Sequence, residues 1–195
     1  MNRKRVAVLI SGRGSNMTAL IAAAKKPDYP AEIAVVISNR ADAGGLGVAR
    51  TEGIATEVVD HQMFGKDRAA FEQALQVVLE KHTIEIVCLA GFMRLLTAGF
   101  VERWRGRMLN IHPALLPAFK GLDTHRRALD AGVTEHGATV HFVAPEMDSG
   151  PIVLQGAVPV RPNDTEATLA ARVLAVEHRI YPEALKMLAE GRCSL

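Results

Sequence analysis

Short apolar runs alternate with segments of helical period along the first half of the chain. Arg5 to Ile10 is apolar and followed by a glycine-rich turn, which predicts a strand buried on both faces. Asn16 to Lys25 then predicts a helix. Glu32 to Ser38 repeats the strand pattern, and Gly45 to Glu52 a short helix. Thr56 to Asp60 predicts a third strand. From Asp67 a longer helix opens, with Phe71, Leu75, Val78 and Leu79 on one side. Ile84 to Ala90 and Met108 to His112 predict the next two strands. This alternation predicts an α/β fold: a doubly wound, mostly parallel sheet with helices on both faces. The second half is less regular. Thr124 to Asp130 reads as helix, and Ala138 to Val143 and Ile152 to Val160 as strands that are partly antiparallel. Asp164 should cap a closing helix to about Glu190, which Pro182 should kink or interrupt.

Composition narrows the class. The 195 residues suit a single domain, with 49% hydrophobic and 23% charged positions. Lys and Arg total 23 against 21 Asp and Glu, a formal charge of +2, so no nucleic-acid footprint is expected. The basic start, Met1 to Arg5, precedes an apolar run too short for a signal peptide, and no stretch is long enough to span a bilayer. Cys88 lies in an apolar strand and Cys193 near the end, which argues against a disulfide. A cytoplasmic protein without membrane contact is the expectation.

Three residues carry candidate chemistry. Asn110 and His112 stand two apart on a strand and share a face, while Ile111 points the other way. Pro113 ends the strand and leaves the pair at its mouth. A carboxamide can donate to a developing oxyanion, and an imidazole can donate or shuttle a proton. A carboxylate such as Asp148 would hold that imidazole and favour its charged form, although spacing alone does not bring Asp148 to His112. Together they would suit acyl transfer; polar residues at a strand end are the plainer reading.

The turn Ser11 to Asn16 joins the first strand to the first helix. Glycines let a ligand approach the backbone, and free amides at a helix N-terminus favour an anion. Position 17 is Met, so the third glycine of a dinucleotide fingerprint is missing, and no Lys-Ser or Lys-Thr marks a triphosphate loop. A phosphate monoester fits this turn better; a plain tight turn is the alternative. His136 and His141, five apart on an extended segment, should face opposite sides, and no Cys pair or helical His pair supports zinc. No metal is expected.

The motifs Ile10 to Asn16, Leu89 to Arg94 and Asn110-Ile111-His112-Pro113 resemble those of the glycinamide ribonucleotide formyltransferases, folate-dependent enzymes of purine synthesis. So do Gly121 to Leu129, Val140-His141-Phe142, Asp148 to Ile152, Glu177-His178 and Tyr181-Pro182. The resemblance spans essentially the whole chain. It implies one formyltransferase domain over 1–195, with a phosphate-binding half to about 100 and a catalytic and folate half beyond. It implies 10-formyltetrahydrofolate as co-substrate and the amine of glycinamide ribonucleotide as acceptor, and it allows a homodimer. By position it makes Asn110, His112 and Asp148 catalytic, and gives Gly14, Ser15, Asn16 and Glu177 to the acceptor. Arg68, Met93, Arg94, Leu95, Leu96, Ala144, Pro145, Glu146 and Met147 fall to the folate. Two positions depart from the family pattern: Asp123 in place of a histidine, and Leu174 in place of a polar residue near the phosphate. Other readings stay open: a formyltetrahydrofolate hydrolase, a formyltransferase of initiator tRNA, or a non-catalytic phosphometabolite-binding module.

Overall fold

The computed structural model describes residues 3–195; Met1 and Asn2, the first two of the basic start, lie outside them. One seven-stranded sheet runs in the order β3-β2-β1-β4-β5-β6-β7. Its strands are β1 (Lys4–Ile10), β2 (Ala31–Ser38), β3 (Ala55–Val58), β4 (Ile86–Leu89), β5 (Met108–His112), β6 (Glu135–Phe142) and β7 (Ile152–Pro159). Pairing is parallel from β3 through β5, and β6 and β7 add antiparallel. The helices are α1 (Ser15–Ala24), α2 (Gly44–Thr51), α3 (Arg68–Lys81), α4 (Ala98–Arg103), α5 (Thr124–Asp130) and α6 (Glu166–Ala189).

The apolar runs explain the layering. Val6 to Ile10 are all at 0% exposure, so β1 needs cover on both faces. Met17, Leu20 and Ile21 of α1, Leu46 of α2 and the apolar stripe of α6 pack on one face with Val6, Val8 and Ile10. Phe71, Leu75 and Leu79 of α3, with Phe100 and Val101 of α4, cover the other with Ala7 and Leu9. The strand order turns back between β1 and β4, the place where an open α/β sheet leaves a crevice at its carboxyl edge. Tyr181, fully buried, donates to the carbonyls of Leu89 at 2.9 Å and Leu109 at 3.2 Å. That bond ties α6 to the ends of β4 and β5.

Several local expectations need correcting. The N-cap of α6 is Thr165, not Asp164: Thr165 and Thr168 form a reciprocal capping box. Asp164 sits just outside, where it accepts from Thr168 Oγ1 at 2.9 Å and pairs with Arg172 at 2.8 Å. That pairing holds its carboxyl well below the usual range, the Arg172 hydrogen bond being the main cause. Pro182 does not interrupt α6, which runs on to Ala189. A proline removes one helical donor, and here the packing of Tyr181, Ala184 and Leu185, each at 0% exposure, outweighs that loss. β6 begins at Glu135, earlier than its apolar stretch, because Glu135 to Gly137 pair with β7. The short helix α4 was not legible as an apolar stripe; the Thr97 side chain starts it by accepting from Phe100 N–H.

Candidate active site

The glycine-rich turn leaves β1 and opens α1 through Gly14, whose φ of 72° is left-handed. A Cβ there would also meet the end of Met17 at 3.2 Å. Ser15 begins the helix in solvent, and Asn16 is buried. Asn16 Nδ2 donates to Glu177 Oε2 of α6 at 2.5 Å, and among the described residues Asn16 Oδ1 is left without a partner. Burial pushes the Glu177 carboxyl pKa up, opposed by the Asn16 hydrogen bond and the nearby His112. This turn forms one wall of a cavity of about 510 Å³ that extends to Asn39, Arg40, His61 and Gly91. Its ionisable lining is entirely basic: Arg13, Arg40, His61 and Arg94. Such a lining favours an anion.

Asn110, His112 and Asp148 come together at the end of β5. Asn110 and His112 share a face, and Ile111 points into the opposite core, as strand alternation requires. Asp148 arrives from the turn between β6 and β7, with Oδ2 3.4 Å from His112 Nδ1. Its backbone is left-handed at φ 51°, uncommon outside glycine. Gly150 fixes this turn, because a Cβ there would lie 1.7 Å from the Phe142 carbonyl oxygen. Gly121 N–H donates to Asp148 Oδ2 at 2.9 Å. His112 Nε2 meets the Phe119 carbonyl at 2.9 Å. An acceptor thus stands at each ring nitrogen of His112, which suits an imidazolium, a donor at both. His112 is 5% exposed and the Asp148 side chain 9%, so water screens the pair weakly.

The other candidates lie on the segments that follow β4 and β6 and on α3, α5 and α6. Met93, Leu95 and Met147 are large apolar side chains exposed to solvent at 67%, 63% and 53%. Leu96 packs partly on the core beneath α3, and Arg94 has a buried Nε without a partner among the described residues. Met93 N–H donates to Ser11 Oγ at 2.8 Å, which links this segment to the glycine turn. Ala144 is half-buried and Pro145 and Glu146 exposed, with Glu146 Oε1 3.5 Å from Lys120 Nζ. Arg68, the first residue of α3, is exposed. Asp123, with φ 55°, stands at the N-cap of α5, and Leu174 is half-buried on α6.

Residues 4–185 match the family model described as formyl transferase. A phosphoribosylglycinamide formyltransferase of Escherichia coli (strain K12) is 46% identical over 190 residues, 97% of this chain and 89% of that protein. The chain belongs to the phosphoribosylglycinamide formyltransferases of the formyl transferase family. A phosphoribosylglycinamide formyltransferase structure from Brucella melitensis is 52% identical, with a TM-score of 0.92 over 99% of this chain and all of that one. The trifunctional purine biosynthetic protein adenosine-3 of Homo sapiens is 53% identical over 193 residues. The chain covers 99% of its own length there but only 19% of that larger protein.

Sequence spacing missed what surrounds the trio. His141 lies across from Asn110, with Nε2 3.2 Å from the Asn110 amide nitrogen and 3.7 Å from Asp148 Oδ1. Read along its own strand, His141 offers no metal pairing and no obvious role; only the cross-strand register exposes the contact. The Phe119 carbonyl and Gly121 N–H are backbone groups, for which no side-chain signal exists. His136 and His141 do occupy different surroundings: His136 packs edge-on to Phe119 and His125, at 5.8 and 5.2 Å between ring centres. Among the described residues, no group of three or more His, Cys, Asp or Glu is disposed to hold a metal ion. Among the same residues, no helix is long and apolar enough to cross a membrane.

Proposed function

We propose that the chain transfers the formyl group of 10-formyltetrahydrofolate to the amine of N1-(5-phospho-D-ribosyl)glycinamide, a step of de novo purine synthesis. The observation that carries this reading is the convergence of Asn110, His112 and Asp148 beside the basic cavity of the glycine turn. The acceptor phosphate would lie on the backbone amides of Gly14, Ser15 and Asn16, where the helix N-terminus favours negative charge. Glu177 and the free Asn16 Oδ1 offer acceptors to the hydroxyls or amide hydrogens of the same molecule. The folate would spread over the apolar rim of Met93, Leu95, Leu96 and Met147, between Arg94 and the Ala144-Pro145-Glu146 stretch, with its tail towards Arg68.

The chemistry follows from that placement. The acceptor amine attacks the formyl carbon, and the carbonyl oxygen gathers negative charge. Asn110 donates to that oxygen, joined by a protonated His112 as its Nε2 hydrogen turns from the Phe119 carbonyl to the oxyanion, while Asp148 at Nδ1 orients His112 and balances its charge. As the tetrahedral intermediate collapses, the bond to folate nitrogen breaks. The proton lost by the amine ends on that nitrogen, passed by His112 or a water. N-formyl folate is already an activated donor, so the step balances without ATP or a Lewis acid. The proposal treats residues 1–195 as one domain acting on small molecules in the cytoplasm.

One incubation tests it. The protein is mixed with 10-formyltetrahydrofolate, with and without the ribonucleotide. Tetrahydrofolate and formylated ribonucleotide should appear one for one, and only when the acceptor is present. Formate released without acceptor would make the protein a hydrolase, and preference for charged tRNA would move it to another branch. Binding of both molecules without turnover would leave a non-catalytic module.

A further inference from the structure

His141 has no role in the scheme above, yet it touches two of its three groups. Asn110 and His141 stand directly opposite in the antiparallel ladder of β5 and β6, so their side chains share a face at close range. The His141 ring is 2% exposed. Its Nδ1 lies 2.8 Å from the Phe142 carbonyl oxygen. A carbonyl can only accept, so Nδ1 carries a hydrogen. Burial pushes the ring's pKa down, against the smaller pull of the Phe142 bond and of Asp148, and keeps it neutral near pH 7. A neutral ring with its hydrogen on Nδ1 has a bare lone pair at Nε2. The group 3.2 Å from that lone pair must therefore be the N–H side of the Asn110 carboxamide, not its oxygen.

That constraint has a chemical consequence. The terminal torsion of an asparagine is broad and nearly two-fold, so an unrestrained carboxamide can present oxygen or nitrogen to a ligand. Oxygen turned towards a developing oxyanion would repel it. We propose that His141 is a positioning residue: its Nε2 takes one amide hydrogen of Asn110 and so leaves the other turned to the reacting formyl oxygen. Asp148 Oδ1, at 3.7 Å, is beyond hydrogen-bond reach of His141, and Asp148 is held instead by Gly121 N–H and faces His112. The ring thus acts through Asn110. An imidazolium at this position would reverse the effect, because a hydrogen on Nε2 calls for the carboxamide oxygen.

This inference rests on the proposed formyl transfer, and its test separates the two. His141→Leu should lower kcat about tenfold or more, part of what losing an oxyanion donor costs, with KM for both substrates within about twofold. In an Asn110→Ala background the same change should cost nothing further, since the group being positioned is gone. An equal loss in both backgrounds would overturn the proposal, as would unchanged kcat in a folded His141→Leu protein. Nitrogen-15 spectra of the unaltered protein at pH 7.5 need no variant to fold. They should show His141 neutral with its hydrogen on Nδ1, and a hydrogen on Nε2 would overturn the proposal. If the unaltered protein transfers no formyl group at all, the proposed function fails, and the spectra still decide the state of His141.

Discussion

The two ends of the sheet handle polar groups by opposite means. At the parallel end, β3 to β4, helices cover both faces, and the strands present only their tips to a ligand. There the polar work falls to backbone amides at Gly14 to Asn16 and to the basic side chains around the cavity. At the antiparallel end, polar side chains stand on the sheet face itself: Asn110 and His112 on β5, opposite His141 and Thr139 on β6. A loop, rather than a helix, is bonded to that face. Thr139, fully buried, accepts from Leu116 N–H at 3.1 Å and donates to the Ala114 carbonyl at 2.7 Å. Gln155 reaches from β7 to Thr139 Oγ1 and to the Leu116 carbonyl. The loop so pinned supplies the Phe119 carbonyl to His112 and Gly121 N–H to Asp148. In the proposed function, one end would hold the anion and the other arrange the reaction.

The sharpest way to break that contrast is to alter the reacting end. His112→Ala and Asp148→Ala should each lower kcat by about two orders of magnitude or more while acceptor KM changes little. The double variant should fall far short of the product of the two losses, because the pair works as a unit. Steady-state kinetics on both substrates checks this. Turnover near that of the unaltered protein in either single variant would remove that residue from the mechanism.

The same contrast explains what the sequence makes legible. The parallel end is written in local patterns: a buried strand is an apolar run such as Val6 to Ile10, and each covering helix shows its own stripe. Asn110 and His112 were likewise readable, since a spacing of two on a strand fixes a shared face. Asp148 could be named from motif resemblance, but its 3.4 Å approach to His112 depends on a left-handed residue and a chain reversal with no room for a Cβ at Gly150. His141 was hidden because antiparallel register is a relation between distant segments. The interruption expected at Pro182 fails for a related reason: a local helix-breaking rule loses to the tertiary packing around Tyr181.

The loop anchor should show the next largest effect. Thr139→Val keeps the shape but removes the hydroxyl that serves Leu116, Ala114 and Gln155. Leaving such buried groups unpaired costs about 1–3 kcal/mol, readable by denaturant titration. Turnover should also drop, since Phe119 and Gly121 lose their tether. Full stability would show that the loop is held elsewhere. At the other end, Ser15→Asp sets a negative charge beside the anion site. Acceptor KM should rise about tenfold or more with kcat and folate binding nearly unchanged, because like charges oppose binding rather than chemistry. Equal losses for both ligands in calorimetry would point to misfolding.

The smallest expected effect lies beneath the antiparallel end, at His136. The ring is 1% exposed, and among the described residues neither nitrogen has a partner in hydrogen-bond geometry. Burial, with smaller contributions from His125 and His112 and against the weaker raising pull of the nearby Pro113 carbonyl, lowers its pKa from 6.5 to about 4. In the unfolded chain the ring titrates near the ordinary 6.5, so between that value and about 4 the unfolded state binds the extra proton. The stability owed to a neutral His136 is therefore fully present above pH 6.5 and is lost progressively as pH falls towards 4. Phenylalanine has a similar shape and no proton to take up, and it would still meet Phe119 and His125 edge-on. His136→Phe should leave the melting temperature at pH 7.5 little changed and make its decline between pH 6.5 and 4 shallower. Half-buried His125 and buried His141, both also lowered by burial, keep some of that slope in the variant. Melting curves taken across this window decide the matter. A variant whose decline parallels that of the unaltered protein would mean that His136 is already charged in the fold, and that burial at this end of the sheet does not keep its histidines neutral.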